Sequence, residues 1–390
     1  MRYRLFTPGP TQIPEATRLA ASPSLIYHRG PEFKQLFLRV QDNLRYLFHT
    51  REEVLLLTCS GTGGMESCLV NLLATGQKAL VIEGGKFGER WGEICTAYGI
   101  ETVSLKVPWG HSPDPAEVKR ILLQHSGVSA VCFTHSETST GALTDVQAVI
   151  ETVRSHSDAL VIVDGITAVG VLPFQFDDWQ VDVCVSGSQK GSMAPPGLAF
   201  VALSQRAWQR HESSNLPRYY FDFTKARIAA QEGNTAWTPA ISVIVALSTS
   251  LEKIRAMGLE NCWTHYERMA TATRAGMKAL GLEIFPQNPS SALTAVRVPQ
   301  TVDGKSFTKT LHDKYGVTVA GGQAQLKGKI YRVAHMGDYD HLDMTAMMAA
   351  VEMALADHNW KFEWGAGLSA MQKQYNLARS GEKHDAHTDS

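Results

Sequence analysis

From Val54 onward the chain repeats one pattern: a short apolar run, a turn, then a stretch with helical spacing. The apolar runs fall at 54–57, 79–82, 130–133, 159–163, 181–185 and 198–203, and a further strand fits 102–107. Helical patterns fill 65–73, 88–98, 115–125 and 145–155 between them. Runs without polar alternation are buried on both faces, so helices must cover a parallel sheet from both sides. The pattern predicts an α/β fold with a mainly parallel seven-stranded sheet in a large domain. After residue 258 the spacing changes. A long helix fits 259–280, strands fit 293–298 and 330–333, and helices fit 305–315 and 341–356, which predicts a smaller C-terminal α+β domain. The expected division is an N-terminal arm at 1–15, a large domain at 16–258, a small domain at 259–380 and a frayed polar tail at 381–390. Pro8, Pro10 and Pro14 fix φ in the arm and discourage a helix there.

Composition narrows the partners. The 37 basic and 38 acidic residues nearly cancel, which gives no electrostatic reason to expect nucleic acid or an anionic membrane. No run approaches the roughly 20 apolar residues that cross a bilayer. Pro8-Gly9-Pro10 interrupts any signal-peptide helix, so the expected compartment is the cytoplasm. The six cysteines form no C-x-x-C pair and are sparse for this length, which favours reduced thiols over a disulfide framework. The 14 histidines show no H-E-x-x-H or related spacing, so no metal is expected.

Three segments carry chemistry. Ser186-Gly187-Ser188-Gln189-Lys190-Gly191 follows an apolar run directly. Small neighbours let a bulky group reach the lysine, and partial burial makes its amine nucleophilic enough for a Schiff base with a carbonyl cofactor. A solvated loop lysine is the plainer reading. Val161-Ile162-Val163-Asp164-Gly165 places a carboxylate at a strand's end, where α/β folds bind ligands. A carboxylate there keeps a pyridine nitrogen protonated, the electronic help pyridoxal phosphate needs; a helix cap is the alternative. Cys59-Ser60-Gly61-Thr62-Gly63-Gly64 lies between a strand and a helix, where backbone amides and hydroxyls bind phosphate. It lacks the Walker lysine, and Glu66 breaks the dinucleotide glycine pattern. Phe87 suits either a core or a stack against a flat ring. Arg332, inside an apolar strand, suits either a structural salt bridge or a substrate carboxylate.

Taken in order, these strings resemble the class V aminotransferases of pyridoxal-phosphate fold type I, which include serine–glyoxylate and alanine–glyoxylate aminotransferases. Gly85-Lys86-Phe87-Gly88-Glu89-Arg90-Trp91, Thr134-His135-Ser136-Glu137-Thr138-Ser139-Thr140-Gly141, Pro195-Pro196-Gly197 and Tyr331-Arg332-Val333-Ala334-His335-Met336-Gly337 extend the resemblance across nearly the whole chain. The branch that includes a cyanobacterial soluble hydrogenase subunit is particularly similar. The resemblance implies pyridoxal phosphate as cofactor, with Lys190 as the Schiff-base lysine and proton carrier and Asp164 beside the ring nitrogen. It places Phe87 on the ring, Thr138 beside the ring hydroxyl, and Ser60, Gly61, Thr62 and Gln189 on the phosphate. Thr235 and Thr238 would reach the phosphate of a partner subunit, which implies a homodimer with shared sites. Relatives often carry tyrosine where Thr235 stands. Arg332 would bind the substrate carboxylate, with Arg29 and Gly9 also on the substrate side. The implied reaction moves an amino group from a small amino acid, serine or alanine, to glyoxylate or pyruvate. An aspartate donor, a lyase or desulfurase reaction, and a silent scaffold are the alternatives. Gln189 stands where desulfurases commonly place histidine.

Overall fold

The computed structural model describes residues 3–22 and 24–380. The first two residues of the expected arm and the expected tail at 381–390 lie outside the described residues.

Seven strands form the main sheet: β1 (Val54–Leu57), β2 (Lys78–Glu83), β3 (Glu101–Lys106), β4 (Val128–Thr134), β5 (Leu160–Asp164), β6 (Val183–Gly187) and β7 (Ala199–Leu203). Their spatial order is β1-β7-β6-β5-β4-β2-β3. The pairs from β6 through β3 are parallel. Strand β7 runs against both of its neighbours. The reason is local. Residues 188–198, which link β6 to β7, form no helix, and a parallel crossover usually needs a helix to carry the chain back along the sheet.

Side chains alternate across the sheet, so every strand but the edge strand β3 feeds two cores. In β4, Val131 and Phe133 join one apolar cluster while Ala130 and Cys132 join the other. Helix α1 (Pro31–Phe48) buries Phe33, Leu36, Phe37, Val40, Leu44, Leu47 and Phe48 along one stripe, at the spacing of an amphipathic helix. Helices α2 (Gly61–Leu72), α3 (Lys86–Ala97), α4 (Pro115–Gln124) and α5 (Val146–His156) follow strands of the sheet. Helix α6 (Ile241–Met257) packs on α1.

A second, antiparallel sheet joins β8 (Leu293–Arg297), β9 (Ala320–Gly321) and β10 (Ile330–Ala334) in the order β8-β10-β9. Around it lie α7 (Leu259–Ala279), α8 (Gly304–Tyr315), α9 (His341–Asp357) and α10 (Ala366–Ser380). The N-terminal stretch belongs spatially to both regions. Arg4–Leu5 pairs in parallel with Val317–Thr318. A few residues later, the Thr11 N–H donates to the Gln189 carbonyl at 3.2 Å. Among the described residues no helix is long and apolar enough to cross a membrane.

Candidate active site

Parallel strands deliver their carboxyl ends to one edge of the sheet. Thr134 at the end of β4 pairs with Asp164 at the end of β5, and Asp164 pairs with Val185 in β6. The loop after β6 then brings Lys190 to the same edge. Asp164 is 3% exposed, and its carboxyl accepts only the Ile166 N–H, at 2.9 Å. No cation lies within ion-pair distance of it among the described residues. Burial raises its carboxyl to about 7, with the Glu137 charge adding to the rise and Lys190 and Arg90 opposing it. Lys190 is buried too, and its amine donates to the Pro8 carbonyl. Burial lowers its ammonium to about 8, against the pull of Asp164. At neutral pH this amine is far closer to its free-base form than a surface lysine.

The arm passes so close that residue 9 has no room for a side chain. Gly9 holds φ at +133°, and a Cβ there would run into Lys190.

Helix α2 begins at Gly61, within the glycine-rich segment, four residues earlier than its apolar spacing suggests. Ser60 is the N-cap, but its exposed hydroxyl makes no cap bond. The first N–H groups of α2 are thus the open amides of a helix terminus. Gln189 is half-buried and its side-chain Oε1 has no partner; the buried Ser186 hydroxyl has none either. Thr62 accepts from Arg90 Nη1 at 3.0 Å, and the Arg90 guanidinium sits 4.7 Å from the centre of the half-buried Phe87 ring. Thr138 is buried and shares a 2.5 Å hydrogen bond with the Thr167 hydroxyl.

Arg332, in β10, is 4% exposed and forms no salt bridge among the described residues. Its Nε and Nη2 donate to the Gly321 carbonyl at 3.2 and 2.7 Å, and Nη1 donates to the Thr138 carbonyl at 2.7 Å. A guanidinium has five N–H groups. The two left over sit one on each terminal nitrogen, free to donate to a carboxylate. Burial lowers this guanidinium to about 10, and the Glu137 charge opposes that fall.

Three candidates stand apart from this cluster in the single chain. Thr235 is half-buried and donates to the Trp237 carbonyl at 2.7 Å, whereas Thr238 and Arg29 are exposed and have no partner among the described residues. Cys59 is half-buried beside the glycine-rich segment, and the other five cysteines are buried. Burial pushes the Cys59 thiol up to about 12, so it is held protonated.

The sequence and the fold have named relatives. The family model for class V aminotransferases, described as "Aminotransferase class-V", matches residues 11–337. The chain belongs to that family. It is 40% identical to the "Soluble hydrogenase, small subunit" of Synechococcus sp. (strain PCC 6716), covering 96% of this chain and 98% of that one. It is 33% identical to the L-aspartate–glyoxylate aminotransferase of Paracoccus denitrificans (strain Pd 1222), covering 98% of each. The crystal structure of ureidoglycine–glyoxylate aminotransferase from Bacillus subtilis superposes with a TM-score of 0.92 at 27% identity, covering 96% of this chain and 98% of the other. The aminotransferase is therefore a transaminase of pyridoxal-phosphate fold type I.

The residues present fit pyridoxal phosphate. Asp164 is a sealed acid without a cation, as a ring nitrogen that must stay protonated requires. The open amides of α2 lie on the glycine-rich segment, and the unpartnered Ser186 and Gln189 oxygens precede Lys190 in the sequence, polar groups of the kind a phosphate takes. Sequence reasoning missed four neighbours of this site: Glu137, Thr167, Arg90 and Thr11. Glu137 and Arg90 stand inside strings already singled out, but their partners are distant in sequence. Thr11 braces the lysine loop by donating to the Lys190 carbonyl at 3.3 Å.

Proposed function

We propose that this transaminase moves an amino group from a small monocarboxylate amino acid, serine or alanine, to glyoxylate or pyruvate. The observation that carries this reading is the single free pair of N–H groups on Arg332. The charged groups felt by Lys190 are Asp164, Arg332 and Arg90. Arg90 is engaged with Thr62 and the Phe87 ring, which leaves one guanidinium for one carboxylate. A dicarboxylate donor needs another cation, which Arg29, exposed and apart from the Lys190 cluster within one chain, would have to supply across the dimer.

Pyridoxal phosphate, when bound, supplies a carbonyl that takes up the amino group and a ring that accepts an electron pair from the donor's Cα. The chain does the rest. Arg332 orients the donor by its carboxylate. Lys190 would remove the Cα proton and return it at the cofactor's C4′ carbon, across the intervening nitrogen, which a buried amine near neutrality does readily. Asp164 keeps the ring nitrogen protonated. Phe87 and Thr138 fix the ring, and Ser60, Gly61, Thr62 and Gln189 hold the phosphate. Gly9 leaves space for Lys190 to swing. The two halves of the reaction use the same residues in opposite order, which gives ping-pong kinetics.

The hydrogenase name of one relative raises a non-catalytic reading, but a scaffold has no need of a buried lysine, a sealed aspartate and an unpaired arginine around one cleft. The protonated Cys59 thiol disfavours desulfuration, which needs a thiolate. A donor titration tests the substrate reading. The visible absorbance band of the holoenzyme is expected to decay with serine or alanine and to persist with aspartate. Arg332→Gln is expected to raise the half-saturating donor concentration about tenfold to a hundredfold, the usual worth of hydrogen bonds to a charged group. A band that decays with aspartate alone replaces the small-donor reading with the aspartate reading that the Paracoccus relative represents. A band that none of the three alters overturns both.

The reading includes a homodimer. The exposed Thr238 and half-buried Thr235 lie beside the half-buried Trp237, which stacks on exposed Tyr219 and Tyr220, and a two-fold copy of the chain would bring the threonines to the partner's phosphate. Light scattering is expected to give a dimer, and cofactor retention is expected to fall on dilution below its dissociation constant. A monomer that retains cofactor contradicts this.

A further inference from the structure

Helix α3 carries Phe87 in its first turn, yet its own N-cap has no means of capping it. That residue is Gly85. The first three N–H groups of the helix are satisfied instead by residues about 50 positions away. The Lys86 N–H donates to Ser139 Oγ at 3.0 Å. The Phe87 and Gly88 N–H groups donate to Glu137 Oε2 at 3.2 and 3.0 Å. The other oxygen, Oε1, accepts the Ser139 N–H at 3.0 Å and the Ser139 hydroxyl at 2.6 Å. Glu137 is 4% exposed and pairs with no cation among the described residues. One of its oxygens faces backbone donors at a helix N-terminus, where a negative charge is favoured, and Ser139 braces the other. The missing side chain and the remote cap occupy the same space: a Cβ on residue 85 would lie 2.5 Å from Glu137 Cδ and from Ser139 Oγ. The turn that supplies the cap also supplies Thr138, whose carbonyl holds Arg332.

We propose that Glu137 is a positioning residue: it caps α3 from outside the helix and thereby fixes Phe87 against the cofactor ring. This rests on the reading of Phe87 as the ring-stacking residue. Glu137→Gln keeps the size of the side chain but turns one acceptor oxygen into an NH2 group, which faces backbone donors. With the amide at Oε2 the Phe87 and Gly88 N–H groups lose their acceptor and the first turn of α3 loosens directly; at Oε1 the Ser139 N–H loses its acceptor while the Ser139 hydroxyl can turn to accept, which loosens the brace that holds the cap in place.

The test measures the rate at which the holoenzyme releases pyridoxal phosphate, followed by loss of the visible band against a trapping agent. Wild type, Glu137→Gln, Phe87→Ala and the double variant are compared, with the melting temperature of each cofactor-free protein alongside. Release is expected to be about tenfold to a hundredfold faster in Glu137→Gln, the loss that follows from unmade bonds to a charged group. The double variant is expected to release no faster than Phe87→Ala alone, because residues acting through one another are not additive. Unchanged release in Phe87→Ala removes the stacking role itself. Faster release in Phe87→Ala with unchanged release in Glu137→Gln overturns the inference alone. Additive effects in the double variant overturn it too, as does a lowered melting temperature with normal release, which marks a merely structural role. Should Glu137→Gln fail to fold, Ser139→Ala removes the cap on Lys86 and the brace on Oε1. The same coupling to Phe87 is then expected at a smaller size, and its absence overturns the proposal.

Discussion

Lys190→Ala is expected to keep pyridoxal phosphate bound and to lose turnover by about three orders of magnitude or more. Retention and turnover separate because the residues that would hold the cofactor do not depend on this side chain. The α2 terminus, Asp164 and Phe87 are held by groups other than the Lys190 side chain, whose amine bonds only to the Pro8 carbonyl. What the substitution deletes is the one basic group at the lysine loop that burial has brought near neutrality. Lys190→Arg sharpens the test. It restores a positive charge but not a group that releases its proton, so it is expected to be as slow as the alanine variant. Spectra and steady-state rates of the two variants check this. Near-normal turnover in either removes Lys190 from the reaction.

The parts of the fold legible in the sequence are those with continuous apolar runs. Six strands of the main sheet coincide with such runs, because burial on both faces leaves no polar alternation, while the edge strand β3 shows the alternation of a strand with one exposed face. Helix α1 carries a plain amphipathic stripe, whereas α6 left a weaker mark. Neither begins with a side-chain cap: Gly30 precedes α1 and Ala240 precedes α6. The start of α6, Ile241 to Leu247, is apolar nearly throughout, a pattern shared by buried strands and buried helices. The α10 helix is defined by its packing on α7 rather than by its own pattern. The reversed direction of β7 follows from the unhelical link before it, and no property of the strand's own residues encodes it.

The site divides in the same way. Lys190 and Asp164 stand at strand ends, a position that sequence spacing conveys directly. Arg332 is legible as a charge inside a strand, but its two possible partners are not. Only the fold shows that backbone carbonyls, and no acid, hold it. Glu137 was hidden because its partners are backbone N–H groups, which every residue but proline carries and which leave no trace in a sequence. Gly85 is the one clue: a glycine where a capping serine or aspartate would ordinarily stand. Thr235 and Thr238 make no contact with the Lys190 cluster within one chain, as expected of residues whose proposed target lies in a second copy.

Asp164→Asn is expected to slow turnover by about a thousandfold, in line with the loss of a buried charge aimed at the reacting group, while the donor concentration for half-saturation changes far less. The amide retains the acceptor for the Ile166 N–H but cannot hold a proton on the ring nitrogen. Asp164→Ala with a cofactor analogue methylated at that nitrogen gives the complementary result. The analogue carries a permanent charge, so it is expected to recover part of the lost rate, and no recovery would count against the pairing of Asp164 with the ring. The cofactor-free protein offers an independent reading of the same carboxyl. Burial raises it from 3.8 to about 7 in the folded chain. Between those values the folded state keeps a proton that the unfolded chain has released, so stability falls as pH rises through the window. The drop is about 4 kcal/mol at roughly 1.4 kcal/mol per unit. Urea unfolding of the cofactor-free protein at pH 4 to 8 is expected to show this loss relative to Asp164→Asn, which has no proton to bind there. Binding pyridoxal phosphate supplies the missing cation and is expected to flatten the difference in slope. Parallel pH profiles for the two cofactor-free proteins would mean that Asp164 already ionises without a partner, and its burial would then have another purpose.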